Sequence, residues 1–158
     1  MDGIIYLDNA ATTYPKPPEV YDFMNEFYKK NGVNPGRSGY DMSLETEEIV
    51  NTTRKKLTIF FNGTDPDQLT FSYNASDSLN MIISGMVNPG DHVITSNVEH
   101  NSVLRPLYHK KHAGEIEVTY IPFDEKGVLR TDLLSELVSD RTWIIALALA
   151  SNSLGTIN

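Results

Sequence analysis

The sequence contains no cysteine, and this absence sets the first limit on its chemistry. Disulfide bonds, thiolate metal ligands and a thiol nucleophile are therefore excluded within these 158 residues. We also predict no metal site of another kind.

Basic residues are also scarce, with 13 Lys and Arg against 21 Asp and Glu and a net charge of -8. Such a chain offers no basic surface for nucleic acid or for an anionic membrane. The longest apolar run, residues 143–150, is too short to span a bilayer. The N-terminus lacks the basic start and long apolar core of a signal peptide. We therefore expect a cytoplasmic protein that binds neither nucleic acid nor membrane.

What the sequence does contain is a regular alternation of helix and strand patterns. Hydrophobic residues make up 40% of the chain, which suits one globular domain over residues 1–158, with 1–15 as a loop segment. Two helices are predicted first: one after Pro17 and Pro18 that ends before Lys29, and a long one capped by Ser43. A strand at 69–73, a helix from Ser76 to Met86, a strand at 92–96 and a helix from Val103 to about Gly114 follow. The last predicted elements are a strand at 115–121, a short helix capped by Thr131, and a strand at 142–150 covered on both faces. Helices that alternate with strands in this way indicate an α/β fold, a mostly parallel sheet with helices on both faces.

Three polar loops, Asn74–Asp77, Asn97–Asn101 and Ser151–Gly155, each follow a predicted strand. In parallel sheets such loops meet at one edge, where ligands bind. The first amides of the helix after Asn74 have no intrahelical partner and favour an anion such as phosphate. From the pattern alone, however, an ordinary helix cap, a solvated His100 and a solvated Arg37 are the favoured explanations of the same residues.

Five motifs, taken in order, resemble one family. They are YLDNAATT at 6–13, NPGR at 34–37, NASD at 74–77, EH at 99–100 and NSLGT at 152–156. Their order and spacing resemble the N-terminal portion of the cysteine desulfurase group of class V aminotransferases, enzymes that depend on pyridoxal 5'-phosphate. The resemblance implies part of the large domain of the aspartate-aminotransferase-like fold, known as fold type I.

The resemblance also implies roles for individual residues. Ala75 and Ser76 match the positions whose amides and hydroxyl hold the cofactor phosphate, and His100 matches the catalytic histidine that stacks on the pyridine ring and helps to move protons. Asn152 matches the asparagine that hydrogen-bonds the phenolic oxygen of the cofactor. The weaker match is a loop on the substrate side, formed by Asn9, Ala10 and Ala11.

The implied reaction converts L-cysteine into L-alanine and enzyme-bound sulfur, in a homodimer that passes the sulfur to an acceptor protein. The family's cofactor-binding lysine, the aspartate that pairs with the pyridine nitrogen and the nucleophilic cysteine all fall beyond Asn158, so we expect this chain to be inactive alone. The alternatives are a selenocysteine lyase or another class V relative, and a truncated fragment without catalysis. An unrelated nucleotide-binding domain is disfavoured because no Gly-x-Gly-x-x-Gly or Gly-Lys-Ser/Thr motif is present.

Overall fold

The computed structural model of the chain describes residues 3–36 and 39–158, so Arg37 lies outside the described residues. The chain forms two compact units, Met1–Phe71 and Ser72–Asn158. The first contains helices α1 (Pro18–Asn31) and α2 (Asp41–Phe60) and a 3-10 turn at Pro66–Gln68. The second contains, in order, α3 (Ala75–Met86), β1 (His92–Ser96), α4 (Asn101–His112), β2 (Glu117–Ile121), a 3-10 turn at Thr131–Leu133, α5 (Leu134–Leu137) and β3 (Thr142–Ala146). No described helix combines the length and the apolar character needed to cross a membrane.

In the first unit, polar side chains form the contact between α1, α2 and the loop that connects them. The hydroxyl of Thr46 donates to the carbonyl of Asn31 at 3.1 Å, and the hydroxyl of Ser43 donates to the carbonyl of Asn34 at 3.1 Å. The Asn31 side chain and the Lys30 ammonium both hydrogen-bond Glu45, and these bonds lower the pKa of the Glu45 carboxyl below its usual value. Hydrogen bonds at buried side chains, rather than an apolar seam, therefore fix how the two helices meet.

The prediction that Ser43 caps α2 was wrong. The helix begins two residues earlier, at Asp41, with Tyr40 in the N-cap position. Ser43 is fully buried, and its hydroxyl donates to the Asn34 carbonyl. In the same unit α1 continues through Lys29 to Asn31, where the sequence predicted a loop.

The predicted strand at 69–73 does not form either. Its backbone groups are taken by side chains, since Arg54 donates to the carbonyl of Leu69 at 3.2 Å and the Asp77 carboxylate accepts from the Tyr73 amide at 3.3 Å. The sheet in the described residues consists of β2, β1 and β3, and residues 69–73 pair with none of them. Alternating hydrophobicity is not sufficient for a strand when no neighbouring strand pairs with the segment.

The second unit is built on a three-stranded parallel sheet in the order β2-β1-β3, which confirms the predicted α/β fold class. All five residues of β1 are buried. The strand starts with His92, whose two ring nitrogens lie 2.8 Å from the hydroxyls of Thr119 on β2 and Thr142 on β3. A polar ring is accommodated in the sheet because each nitrogen has a hydroxyl partner.

Alternate residues of β1 point into two cores on opposite faces of the sheet. Val93 packs with Ile83 of α3 and Leu107 of α4, whereas Ile94 packs with Ile121 and Leu129 and with residues of the α5 region. Helices therefore cover β1 on both faces, as predicted for a parallel sheet. The short helical segment begins with the 3-10 turn, and Thr131 is not its cap, because Arg130 takes that position.

Strand β3 is shorter and more exposed than predicted. It ends at Ala146, not Ala150, because its last pairing partner in the register is Thr95 and β1 ends one residue later. Trp143 is 57% exposed and Ile145 is also exposed, while Ile144 and Ala146 pack against the core of α3 and α4. The prediction that this strand is covered on both faces was wrong: its continuous apolar run does not distinguish the face that packs from the face that is open.

Leu107 tests the core between α4 and the sheet. It is 1% exposed, and we expect Leu107→Ala to lower the free energy of unfolding by about 2 to 5 kcal/mol, from lost burial and the cavity left behind. Urea denaturation followed by circular dichroism measures the change. Leu149→Ala is the matched control, because Leu149 is 76% exposed and should change stability little. Equal losses in the two variants would contradict the assigned core.

Candidate functional site

The N-terminus of α3 leaves two backbone amides for a ligand. Asn74 caps the helix, and its side-chain oxygen accepts from the Asp77 amide at 2.9 Å, while its carbonyl accepts from the Ser78 amide at 3.1 Å. The amides of Ala75 and Ser76 precede these and have no intrahelical partner. Together with the Ser76 hydroxyl they form a set of donors at the positive end of the helix dipole, which suits an anion.

His100 occupies the N-cap of α4, and its ring orientation is fixed by the first turn of that helix. The Ser102 amide lies 3.1 Å from Nδ1, and the Ser102 hydroxyl lies 2.7 Å from the same nitrogen. Because a backbone amide only donates, Nδ1 is the acceptor, and the neutral imidazole carries its proton at Nε2. The cap thus fixes both the tautomer and the orientation of the ring.

Glu99, immediately before His100, fixes the loop that follows β1. Its carboxylate oxygen Oε1 accepts from the buried Ser96 hydroxyl at 2.7 Å and from the Ala148 amide at 2.9 Å. One carboxylate therefore joins the end of β1 to the segment after β3. This cross-link holds the backbone of His100 in a defined place at the carboxyl edge of the sheet.

Ser76 and His100 line the same cleft, which has a volume of about 450 Å³. The other lining residues are Asn80 of α3 and Asn101, Ser102, Arg105, Pro106 and His109 of α4. The donor set consists of hydroxyl, amide and cationic groups, without a carboxylate. A phosphate fits this chemistry, and the imidazole in the same cleft suits an aromatic ring attached to it.

Asn152 lies elsewhere, on a hairpin that follows β3. It is exposed and is not among the residues that line the cleft of Ser76 and His100. The hairpin is closed by the Ser151 amide, which donates to the Thr156 carbonyl at 2.9 Å, and by Gly155 at φ +73°. Asn158 anchors its base through the Leu129 amide at 3.0 Å and the Ala148 carbonyl at 2.8 Å. Two of the three predicted polar loops thus contribute residues to this cleft, through Ser76 and His100.

Asn9, Ala10 and Ala11 belong to the first unit and form an exposed turn. The Ala11 amide donates to the Asp8 carbonyl at 3.1 Å, and the Asn9 side-chain oxygen accepts from the Tyr14 amide at 3.2 Å. The run of small and polar residues predicted a loop here, and the structure shows a turn held by these local bonds. A substrate role for these three residues stays a prediction.

The sequence reasoning missed the residues further along the two helices. Asn80 follows Ser76 by four positions and donates to its carbonyl at 2.7 Å, and Arg105 and His109 follow Asn101 by four and eight positions. Residues at this spacing share one face of a helix. Helical spacing counted from Ser76 and Asn101 is the signal that finds them.

The comparison with known sequences agrees with the resemblance carried by the motifs. The sequence profile of the class-V aminotransferase family matches residues 5–158. The chain belongs to this family. Nearly the whole chain is covered by the match.

Relatives within the family are cysteine desulfurases. The chain is 32% identical over 161 residues to cysteine desulfurase IscS of Clostridium botulinum, covering 99% of the chain and 40% of the relative. It is 36% identical over 157 residues to IscS of Dictyoglomus turgidum, covering 97% and 39%. A solved NifS-like protein superposes with a TM-score of 0.86 at 29% identity, covering 97% of the chain and 42% of that structure. The chain thus spans about two fifths of the length of the proteins it matches.

Glu99 supplies a test of how the site is positioned. Glu99→Ala leaves the buried Ser96 hydroxyl and the Ala148 amide without their acceptor, so we expect a loss of about 1 to 3 kcal/mol in unfolding free energy. Glu99→Gln should lose less, because its amide oxygen still accepts. Glu125→Ala, an exposed change in the turn at 124–127, is the control. Chemical denaturation measures all three, and the cross-link has no role if the alanine variants at 99 and 125 behave alike.

Proposed function

We propose that the chain forms the N-terminal part of a pyridoxal-phosphate-dependent cysteine desulfurase, which converts L-cysteine into L-alanine and leaves the sulfur on the enzyme. The observation that carries this proposal is the cleft that Ser76 and His100 share, in a chain whose relatives are cysteine desulfurases. The chain has no cysteine, so the thiol that takes up the sulfur must come from another part of the enzyme.

The donors at the start of α3 support binding of the cofactor by its phosphate. In the proposed complex the amides of Ala75 and Ser76 and the Ser76 hydroxyl donate to the phosphate oxygens. These amides have no intrahelical partner because they begin the helix, whereas the Asp77 amide donates to the Asn74 side chain. Pyridoxal phosphate, when bound, supplies an electron sink for the electron pair of the amino-acid substrate.

The ring of His100 is proposed to stack on the cofactor and to move a proton during the reaction. Its Nδ1 is held by Ser102, so Nε2 is the nitrogen left for proton transfer. Because Nδ1 accepts from Ser102, the neutral ring carries its proton on Nε2. The ring can therefore donate that proton from Nε2. Asn152 is proposed to donate its side-chain amide to the phenolic oxygen of the cofactor, and Asn9, Ala10 and Ala11 to contact the substrate.

The partners in this proposal are a small amino-acid substrate, a second copy of the enzyme in a homodimer and a protein that accepts the sulfur. The proposed setting is the cytoplasm. The acceptor follows from the proposed activity, since persulfide sulfur leaves the enzyme by transfer to another thiol, or as sulfide when a reducing thiol supplies two electrons. The homodimer follows from the resemblance to the family.

Two substitutions test the proposal in the protein as it occurs in its source, supplied with pyridoxal phosphate. His100→Ala should lower kcat for alanine formation from L-cysteine by about 100-fold or more, because proton donation from the positioned Nε2 of the imidazole is lost. His112→Ala is the matched control, since it removes a second histidine of α4 that lies outside the cleft. Alanine is quantified by chromatography.

Ser76→Ala should weaken binding of the cofactor about tenfold through loss of one charge-assisted hydrogen bond, while kcat at saturating cofactor stays near wild type. A wild-type protein that forms no alanine and binds no cofactor would overturn the proposal. Activity on selenocysteine without activity on cysteine would instead assign a selenocysteine lyase.

A further inference from the structure

Arg105 lies on the face of α4 that borders the cleft. It follows Asn101 by four residues and precedes His109 by four, and all three line the cleft with Ser76 and His100. Its side chain is exposed and extends from a helix whose next turn is anchored in the core by Leu107. The guanidinium is thus carried by a rigid element at the border of the proposed cofactor site.

Arg105 differs from the other described arginines in its partners. Arg130 forms a two-pronged ion pair with Asp132, with Nη2 2.7 Å from the carboxylate, and Arg141 lies 2.6 Å from Glu117. Arg54 donates to the Leu69 carbonyl and the Asn51 side chain. Within residues 3–36 and 39–158, Arg105 has no hydrogen bond or ion pair. Its five donors remain available.

The charge lining this cleft is opposite to that of the chain as a whole. The chain carries a net charge of -8, yet Arg105 brings a permanent positive charge to this cleft, and no described Asp or Glu lines it. Two other surface clefts do contain carboxylates: one is lined by Glu26 and Glu45 together with Lys30, and another by Glu115 and Glu117 together with Lys111 and Arg141. An acidic protein that keeps carboxylates out of one cleft and places an unpaired guanidinium there has a local field suited to an anion.

We infer that Arg105 is a further ligand of the cofactor phosphate, binding it together with Ser76. This inference rests on the proposed function, because Ser76 is already assigned to that phosphate. A planar guanidinium donates two parallel hydrogen bonds to phosphate oxygens. Its permanent positive charge also offsets part of the negative charge of the phosphate, whereas the hydroxyl and the two amides are neutral donors. The phosphate, rather than the substrate carboxylate, is the partner, because Arg105 shares its cleft with the Ser76 hydroxyl.

The test measures binding of three probes to the chain by isothermal titration calorimetry. Pyridoxine 5'-phosphate carries the ring and phosphate of the cofactor without the aldehyde that reacts with surface lysines. Pyridoxine lacks the phosphate, and inorganic phosphate lacks the ring. Arg105→Gln should weaken binding of pyridoxine 5'-phosphate about tenfold, the effect of losing a charge-assisted bond at an exposed site, and should leave pyridoxine unchanged.

Control variants separate charge from structure. Lys126→Gln makes the same change in net charge at an exposed turn outside the cleft and should bind all three probes as wild type does. Arg105→Lys should recover part of the lost affinity, since a point charge remains without the paired geometry. Circular dichroism confirms that each variant is folded.

The outcomes distinguish this inference from the proposed function. If Ser76→Ala weakens the phosphate ester but Arg105→Gln does not, the inference is wrong and the proposed function stands. If Arg105→Gln weakens pyridoxine as much as its phosphate ester, the residue acts on structure and the inference is also wrong. A change confined to KM for cysteine in the enzyme assigns Arg105 to the substrate carboxylate and overturns the phosphate role. No binding of any phosphate probe by the wild-type chain overturns both.

Discussion

The second unit depends on the central strand β1, which is hydrogen-bonded along both edges and buried on both faces. Val93 and Ile94 are neighbours in sequence, yet each belongs to a different core, one under α3 and α4 and the other under the α5 region. Because β1 is hydrogen-bonded along two edges and packed on two faces, the positions of its first and last residues are fixed as well. The helices and loops of the candidate site are attached at those points.

The site extends this constraint from the core to the chemistry. Helix α3 leads into β1 and helix α4 follows it, so packing both helices on one face of the sheet brings Ser76 and His100 to the same cleft. Short-range hydrogen bonds then orient the groups of the site. Asn74 accepts from the Asp77 amide at the start of α3, and Ser102 donates to Nδ1 of His100 and so determines its tautomer. Glu99 holds the loop between β1 and α4. Hydrophobic packing thus supplies the position, and hydrogen bonds supply the orientation.

The elements that sequence reasoning predicted correctly are those with two independent signals. Strand β1 and helix α3 each combine a hydrophobic pattern with clear end residues, Pro89-Gly90 before the strand and the Asn74 cap before the helix. Two of the failures, at 69–73 and after Thr142, occurred where a hydrophobic pattern was the main signal. The alternation at 69–73 does not reveal that its backbone groups bond to Arg54 and Asp77, and the apolar run after Thr142 does not reveal where β1 stops pairing with it.

The candidate site was predictable to a similar degree. The motifs identified Ser76 and His100, which the fold brings to one cleft, but they said nothing of Arg105, whose position follows only from the helical face it shares with Asn101 and His109. Asn152 was identified by its motif, whereas its place on a braced hairpin depends on bonds from Asn158 to Leu129 and Ala148, which are distant in sequence. Distances between separate loops are a property of packing, which local patterns do not encode.

The open face of β3 gives the molecule an internal optical reporter. Trp143 is the single tryptophan of the chain and stands on that face beside the exposed Ile145. An indole in water and an indole against apolar surface emit at different wavelengths, so the fluorescence of this one ring registers whether the face is wet or covered. Because β3 is bonded directly to β1, the same signal also reports the integrity of the strand on which the site is built.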